Sequence, residues 1–180
     1  MMRSIALWLR SFRDDRHGVS AVEFALIAPI MIFFYFGMSE ICQGFMAQKR
    51  TEHVASTIAD LVAQEETIST AGLTDVYTVA AKVLEPFPTT GLKQRVTSVT
   101  RNTSGVAKVD WSSGSNWTPL TTGATVTLPA NLIANGESII MAEVEYPYQS
   151  PFDYVMPSQK TFSKVYYLRP RQSTMVTKTN

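Results

Sequence analysis

The chain has 180 residues, a net charge of +1, two histidines and one cysteine. That charge gives no basic surface to argue for nucleic acid. One cysteine excludes an intrachain disulfide, and with two unrelated histidines it supplies no zinc site at the usual ligand spacing.

Residues 1–18 carry Arg3, Arg10, Arg13 and Arg16 against Asp14 and Asp15, a balance of 4 − 2 = +2. The remainder holds 12 basic and 13 acidic residues, a balance of −1. Positive residues ahead of an apolar run keep that side cytoplasmic. The chain beyond the run is therefore expected to face the periplasm or the exterior.

The apolar run comes next. Phe24 to Met38 contains no charged residue, and the run extends from Val19 to Ser39 only by including Glu23. Its length suits one membrane crossing. A carboxylate in hydrocarbon costs several kcal/mol unless paired or protonated, so Glu23 is a candidate functional residue. A cut after Gly18 would give Val19 a free amino group close to Glu23, or to the Glu23 of a neighbouring copy. Pro29, inside the run, removes one backbone donor and predicts a kink or local loosening. Gly37 and Gly44 share a face and would permit close helix approach. Cys42 reads as a small packing residue, with an intermolecular disulfide as the alternative. A cleaved secretory signal over residues 1–39, ending at Gly37-Met38-Ser39, fits poorly, because Glu23 interrupts it and the run is too long.

Past the run, helical spacing continues through Phe45, Val54, Ile58, Leu61 and Val62, with Ala47, Ala55, Ala59 and Ala63 beside them. One helix from Ser20 to about Glu66 is expected, roughly 70 Å long at 1.5 Å per residue. Its first half would lie in lipid and its second half against a globular head. Ser69-Thr70-Ala71-Gly72 reads as a break. A second helix is expected from Leu73 to Leu84, capped by Thr74, with Val76, Val79, Ala80 and Val83 on its stripe. Glu85-Pro86-Phe87-Pro88 ends it.

The remainder reads as strands. Gln94–Arg101 and Val106–Trp111 form a hairpin about the turn Asn102-Thr103-Ser104-Gly105. Thr125–Leu128 either pairs with the head or crosses it. Ser138–Tyr148 alternates, with Ile140, Ala142, Val144, Tyr146 and Tyr148 on one face and Glu143 and Glu145 on the other, solvated one. Pro147 suits an edge or a strand end. Thr161–Leu168 is the last strand, and Gln172–Asn180 is a polar tail with little reason to pack. The fold expected is α+β: a long N-terminal helix, a short second helix and a mainly antiparallel sheet whose apolar face both helices cover. The divisions are a leader (1–18), a transmembrane part of the first helix (19–39), an α+β head (40–171) and a tail (172–180).

Chemistry is sparse. His17 falls in the leader, and His53 reads as a surface or packing residue. No phosphate loop, nucleophile elbow or catalytic cysteine setting is present. An enzyme is not expected, nor a cofactor or metal. Trp111, Trp117, Tyr146, Tyr148, Phe152 and Tyr154 read first as packing residues. The loop Pro147–Pro157 is the candidate surface for contacts with other subunits.

Gly18 with Glu23 five positions on, followed by an uninterrupted apolar helix, resembles the leader of type IV-like pilins. Ala21-Val22-Glu23-Phe24-Ala25-Leu26, Pro29 and Phe36-Gly37-Met38-Ser39-Glu40 resemble the TadE-type minor pseudopilins of the tight-adherence (Tad, or Flp) pilus. The resemblance covers about Gly18 to Gln64. Met141-Ala142-Glu143-Val144-Glu145-Tyr146 and Tyr167-Leu168-Arg169-Pro170-Arg171 resemble the family more weakly. It implies a pilin-like head, cleavage between Gly18 and Val19 by a prepilin peptidase, and a role for Glu23 in processing or subunit entry. It further implies a single-pass inner-membrane protein with its N-terminus cytoplasmic and its head periplasmic, whose partners are other pilus subunits and whose work is pilus assembly for adhesion or secretion. The alternative is an uncleaved single-span protein whose head binds a partner in a secretion or pilus complex.

Overall fold

A computed structural model describes residues 18–151, 155 and 159–180. Residues 1–17 of the expected leader, His17 among them, lie outside the described residues, as do Phe152, Tyr154 and Pro157 of the 147–157 loop.

Helix α1 runs unbroken over Val19–Ala63, through Pro29. Strand β1 (Thr67–Ser69) and helix α2 (Thr70–Lys82) come after it, then β2 (Lys93–Arg101), β3 (Ala107–Ser115), β4 (Ser138–Gln149), β5 (Gln159–Leu168) and β6 (Thr177–Thr179). β2 to β5 form one antiparallel sheet in the order β3-β2-β4-β5. The fold is α+β, as the patterning predicts.

Alternation sorts the sheet into two faces. Ile140, Ala142, Val144, Tyr146 and Tyr148 of β4 are buried with Val96 of β2 and Phe162 of β5. α1 covers this face with Ala47, Val54, Ala55, Ile58, Ala59, Val62 and Ala63. The alanines let the helix lie close to the sheet, while Val54, Ile58 and Val62 fill the space between. Phe45, expected in that stripe, points away and is 60% exposed. The other face carries Val99, Ala107 and Ile139, covered by Ile133 with Val126 and Leu128. Thr125 makes an isolated bridge to Lys108, so the 125–128 segment crosses the sheet and touches its edge without becoming a strand.

α2 starts earlier than the sequence pattern suggests. Ser69 caps it, its Oγ accepting from the Gly72 N–H at 3.1 Å, and Thr74 lies inside the helix. The Ser-Thr-Ala-Gly stretch that reads as a break is a start signal. The buried stripe is Leu73, Tyr77, Ala80 and Leu84, while Val79 is 55% exposed. Leu73 and Tyr77, at i and i+4, bury more apolar surface than the smaller Val79 and set the helix rotation, with Val76 and Val83 packed partly buried beside them. Arg50 of α1 ties the far end of α2 by donating to the Val83 carbonyl at 3.0 Å.

Two further corrections concern the sheet. Glu143 is not on a solvated face: it pairs with Arg95 at 2.7 Å with both side chains mostly buried. The Arg95 guanidinium also stacks 4.3 Å from the Trp117 ring centroid. Second, the C-terminal segment packs. β6 pairs in parallel with β1, Val176 is fully buried, and the Trp111 indole donates to the Val176 carbonyl at 2.7 Å. One valine and one indole donor on the sheet are enough to hold a segment whose other residues are polar.

Pro147 lies where β4 has run past its pairing with β2, which begins at Lys93↔Glu145. Opposite it sits Gly91, at φ +76°, where an added Cβ would lie 2.8 Å from the Pro147 ring. Only glycine meets both demands.

Candidate functional site

α1 divides by what touches it. Gly18 is the N-cap residue, without a side-chain cap, and a Cβ added there would meet nothing within 4 Å. Val19, Glu23 and Pro29 are all exposed. So are Phe24, Leu26, Ile27, Ile30 and Phe33, among other large apolar residues of the run. The most apolar 18-residue stretch has a mean hydropathy of 2.1 and no buried residue. In water such a face would be an extended apolar surface far larger than soluble monomers tolerate. By length and composition α1 is able to cross a membrane.

The Gly18–Val19 bond therefore lies at the end of the helix, open to its surroundings. Val19 and Glu23 are one turn apart, roughly 6 Å along the axis. Glu23 is exposed on a part of α1 that no described head residue buries.

Among the described residues, the head buries α1 from Gly37 onward. A Cβ there would come within 3.1 Å of Val155, so glycine lets the 150–155 segment rest on the helix backbone. One turn further, Glu40 is completely buried. It accepts hydrogen bonds from the Ser150 hydroxyl and from the Val155 N–H, the latter at 2.9 Å. Gly37, Glu40, Gly44, Ala47 and Thr51 are successive buried positions of one stripe. Gly37 thus serves contact with the head, and Gly44 is buried on the same stripe. Glu40 is the residue that sequence reading misses as a site. Its one signal is a carboxylate at i+3 from a glycine, just where the apolar run ends. Burial pushes the Tyr148 hydroxyl up from its ordinary pKa, and the nearby Glu40 charge adds to that.

Residues 18–60 match the TadE-like protein family. No curated protein and no solved structure matches the chain. The TadE-like match begins at the Gly18 that precedes the helix and ends at Asp60, near the end of α1. It includes Glu23, Pro29, Gly37 and Glu40 and stops short of the sheet. The matched stretch is thus the element that carries both carboxylates described above.

Elsewhere the described residues offer little chemistry. No group of three or more His, Cys, Asp or Glu among them is placed to hold a metal. His53 and Cys42 are exposed on α1. An open cleft of about 710 Å³ between α2 and the β2–β3 hairpin is lined by hydroxyl and amide side chains together with Phe87, Pro88 and Leu92, and its one Lys–Glu couple, Lys82 and Glu85, is ion-paired at 3.2 Å.

Proposed function

We propose that this chain is a membrane-anchored minor pseudopilin of a Tad-type pilus, non-enzymatic, working by assembly. It inserts with its N-terminus in the cytoplasm and its head in the periplasm. A prepilin peptidase cuts it between Gly18 and Val19, and it then packs with other pilus subunits in a complex that supports adhesion or secretion. The observation that carries this reading is the exposed apolar first half of α1, inside the stretch that matches the TadE-like family. The physical logic has two parts. The apolar helix is stable outside lipid only against other such helices. Glu23 is stable in lipid only near a positive group, and a neighbour's freed Val19 amino group is one.

Mass spectrometry of the mature N-terminus tests the cut directly. The expected mature chain begins at Val19, and replacing Gly18 by a bulky residue leaves the longer form. Glu23→Gln keeps the shape and removes the charge. It is expected to insert at least as well as the parent, since a neutral group costs less in hydrocarbon, while co-purification with other pilus subunits falls. Normal pilus-dependent attachment by the Gln variant refutes the pairing. A mature chain that still begins at Met1 or Met2 favours the uncleaved single-span alternative.

A further inference from the structure

Beyond Gly37 the two sides of α1 differ. The side facing the head is buried at Gly37, Glu40, Gly44, Ala47 and Thr51. The opposite side stays apolar and exposed at Met38, Ile41, Phe45 and Met46. Exposed Cys42 lies at the middle of this ridge. At 3.6 residues per turn it sits roughly 180° from the centre of the buried stripe. The same line continues toward the N-terminus through Tyr35, Met31 and Phe24, all exposed.

A bilayer does not cover both sides. From Val19 to Met46 the apolar face is about 42 Å long at 1.5 Å per residue, against about 30 Å of hydrocarbon. Tilting does not resolve the mismatch. The apolar exposure ends near Gly37 on one side and near Met46 on the other, roughly 14 Å apart along a helix about 11 Å across. A flat membrane boundary through both points requires a tilt of roughly 50°, beyond the 0–40° that membrane helices adopt. Something other than lipid covers the upper ridge.

We propose that its cover is a second copy of this chain, parallel in the same membrane, with the two ridges packed face to face about Cys42. Three features favour that occupant. The ridge is continuous with the membrane-facing line below it, so its partner rises from the bilayer at the same level, as a second α1 does. The exposed line from Phe24 to Met46 carries no charge, so a two-fold pair sets no like charges against each other on it. The head lies on the far side of each helix, so two copies approach along the ridge without their heads meeting. The pairing rests on the membrane placement proposed above.

The native single cysteine makes the test. Membranes holding the full chain are treated with a mild thiol oxidant and scored for a disulfide-linked dimer, which needs the two Cα atoms within about 7 Å. The dimer is expected with the native chain and lost in Cys42→Ser. It is expected to be lost in Phe45→Glu, which keeps Cys42 and alters an exposed side chain. Moving the cysteine one position, by Cys42→Ser with Gln43→Cys, turns it toward the head and is expected to abolish the dimer as well. Equal crosslinking from positions 42 and 43 overturns the ridge contact. A Cys42 crosslink only to a different protein overturns the second copy as occupant. Retention after a carbonate wash is scored on the same membranes. Absence of the dimer from the native chain while that chain stays anchored overturns the pairing alone, and release of the native chain overturns the membrane reading beneath it.

Discussion

Replacing Glu40 by alanine strips two donors of their shared acceptor. The Ser150 hydroxyl and the Val155 N–H both point at its carboxylate, on a residue with no exposed surface. A hydrogen bond to a charged group contributes about 1.5–3 kcal/mol, and a buried donor left unmade costs about 1–3 kcal/mol. Two forces act the other way. Alanine removes a desolvated charge, which relieves part of its own burial cost, and the Ser150 hydroxyl can rotate toward another acceptor. We expect a net loss of about 2–4 kcal/mol. Glu40→Gln keeps the volume and one acceptor oxygen, so about half that loss is expected. Urea unfolding followed by tryptophan fluorescence measures both, with Trp111 and Trp117 as reporters in the head. Amide exchange at Val155 should speed up in the same order. If Glu40→Ala unfolds within about 0.5 kcal/mol of the parent, the range of an ordinary surface change, the carboxylate does not hold the 150–155 segment on α1 and the reasoning fails.

A soluble head fragment beginning at Gly37 should resist urea better than one beginning at Gln48, which lacks the buried Glu40, Gly44 and Ala47, and one beginning at Leu73 should aggregate. Equal midpoints for the first two would show that the lower stripe contributes nothing. Deleting residues 173–180 removes the buried Val176 and orphans the Trp111 indole, at an expected cost of about 3–5 kcal/mol, read as a lower thermal midpoint. Burial raises the Tyr77 hydroxyl above its ordinary pKa. Its stabilising share is therefore complete below about pH 10, the unfolded value, and is lost as the pH climbs through the folded one. Tyr77→Phe should flatten the alkaline decline of unfolding free energy, and an unchanged slope would refute that assignment.

The long helix and the β2–β5 sheet are legible in the sequence because their periods run for many residues. β4 alternates over the eight positions from Ala142 to Gln149, and α1 runs for 45 residues with a buried stripe from Gly37 to Ala63. Where sequence and structure part, the causes are physical. Helical spacing and size put Phe45 in the core, yet its place on the helix sets it opposite the head. In the α2 stripe Val76, Ala80 and Val83 pack against the core as their spacing suggests, but Val79 is exposed and the larger Leu73 and Tyr77 are buried instead. For Glu143, alternation gives the face but not what covers it, and the cover comes from Arg95 on a neighbouring strand and Trp117 in a loop. The anchoring of the C-terminal segment depends on a single valine and a distant indole, contacts 65 residues apart in the chain. At the candidate site, Gly18, Glu23 and Pro29 stand out because they interrupt or flank an apolar run. Glu40 does not, because its role appears only when Ser150 and Val155 come to it across more than a hundred residues.

Because α1 carries no break between Val19 and Ala63 and the head grips it from Gly37 upward, the head is geared to the helix. Any rotation of the anchor about its own axis turns the whole sheet by the same angle. One alanine inserted between Ile32 and Phe33 would advance the helix by a residue, swinging the head through roughly 100° and lifting it by about 1.5 Å. Four inserted residues would come within about 40° of the starting direction and raise the head by about 6 Å. The compass bearing of the β3 and β5 edges around the anchor is thus written in the count of residues below Gly37.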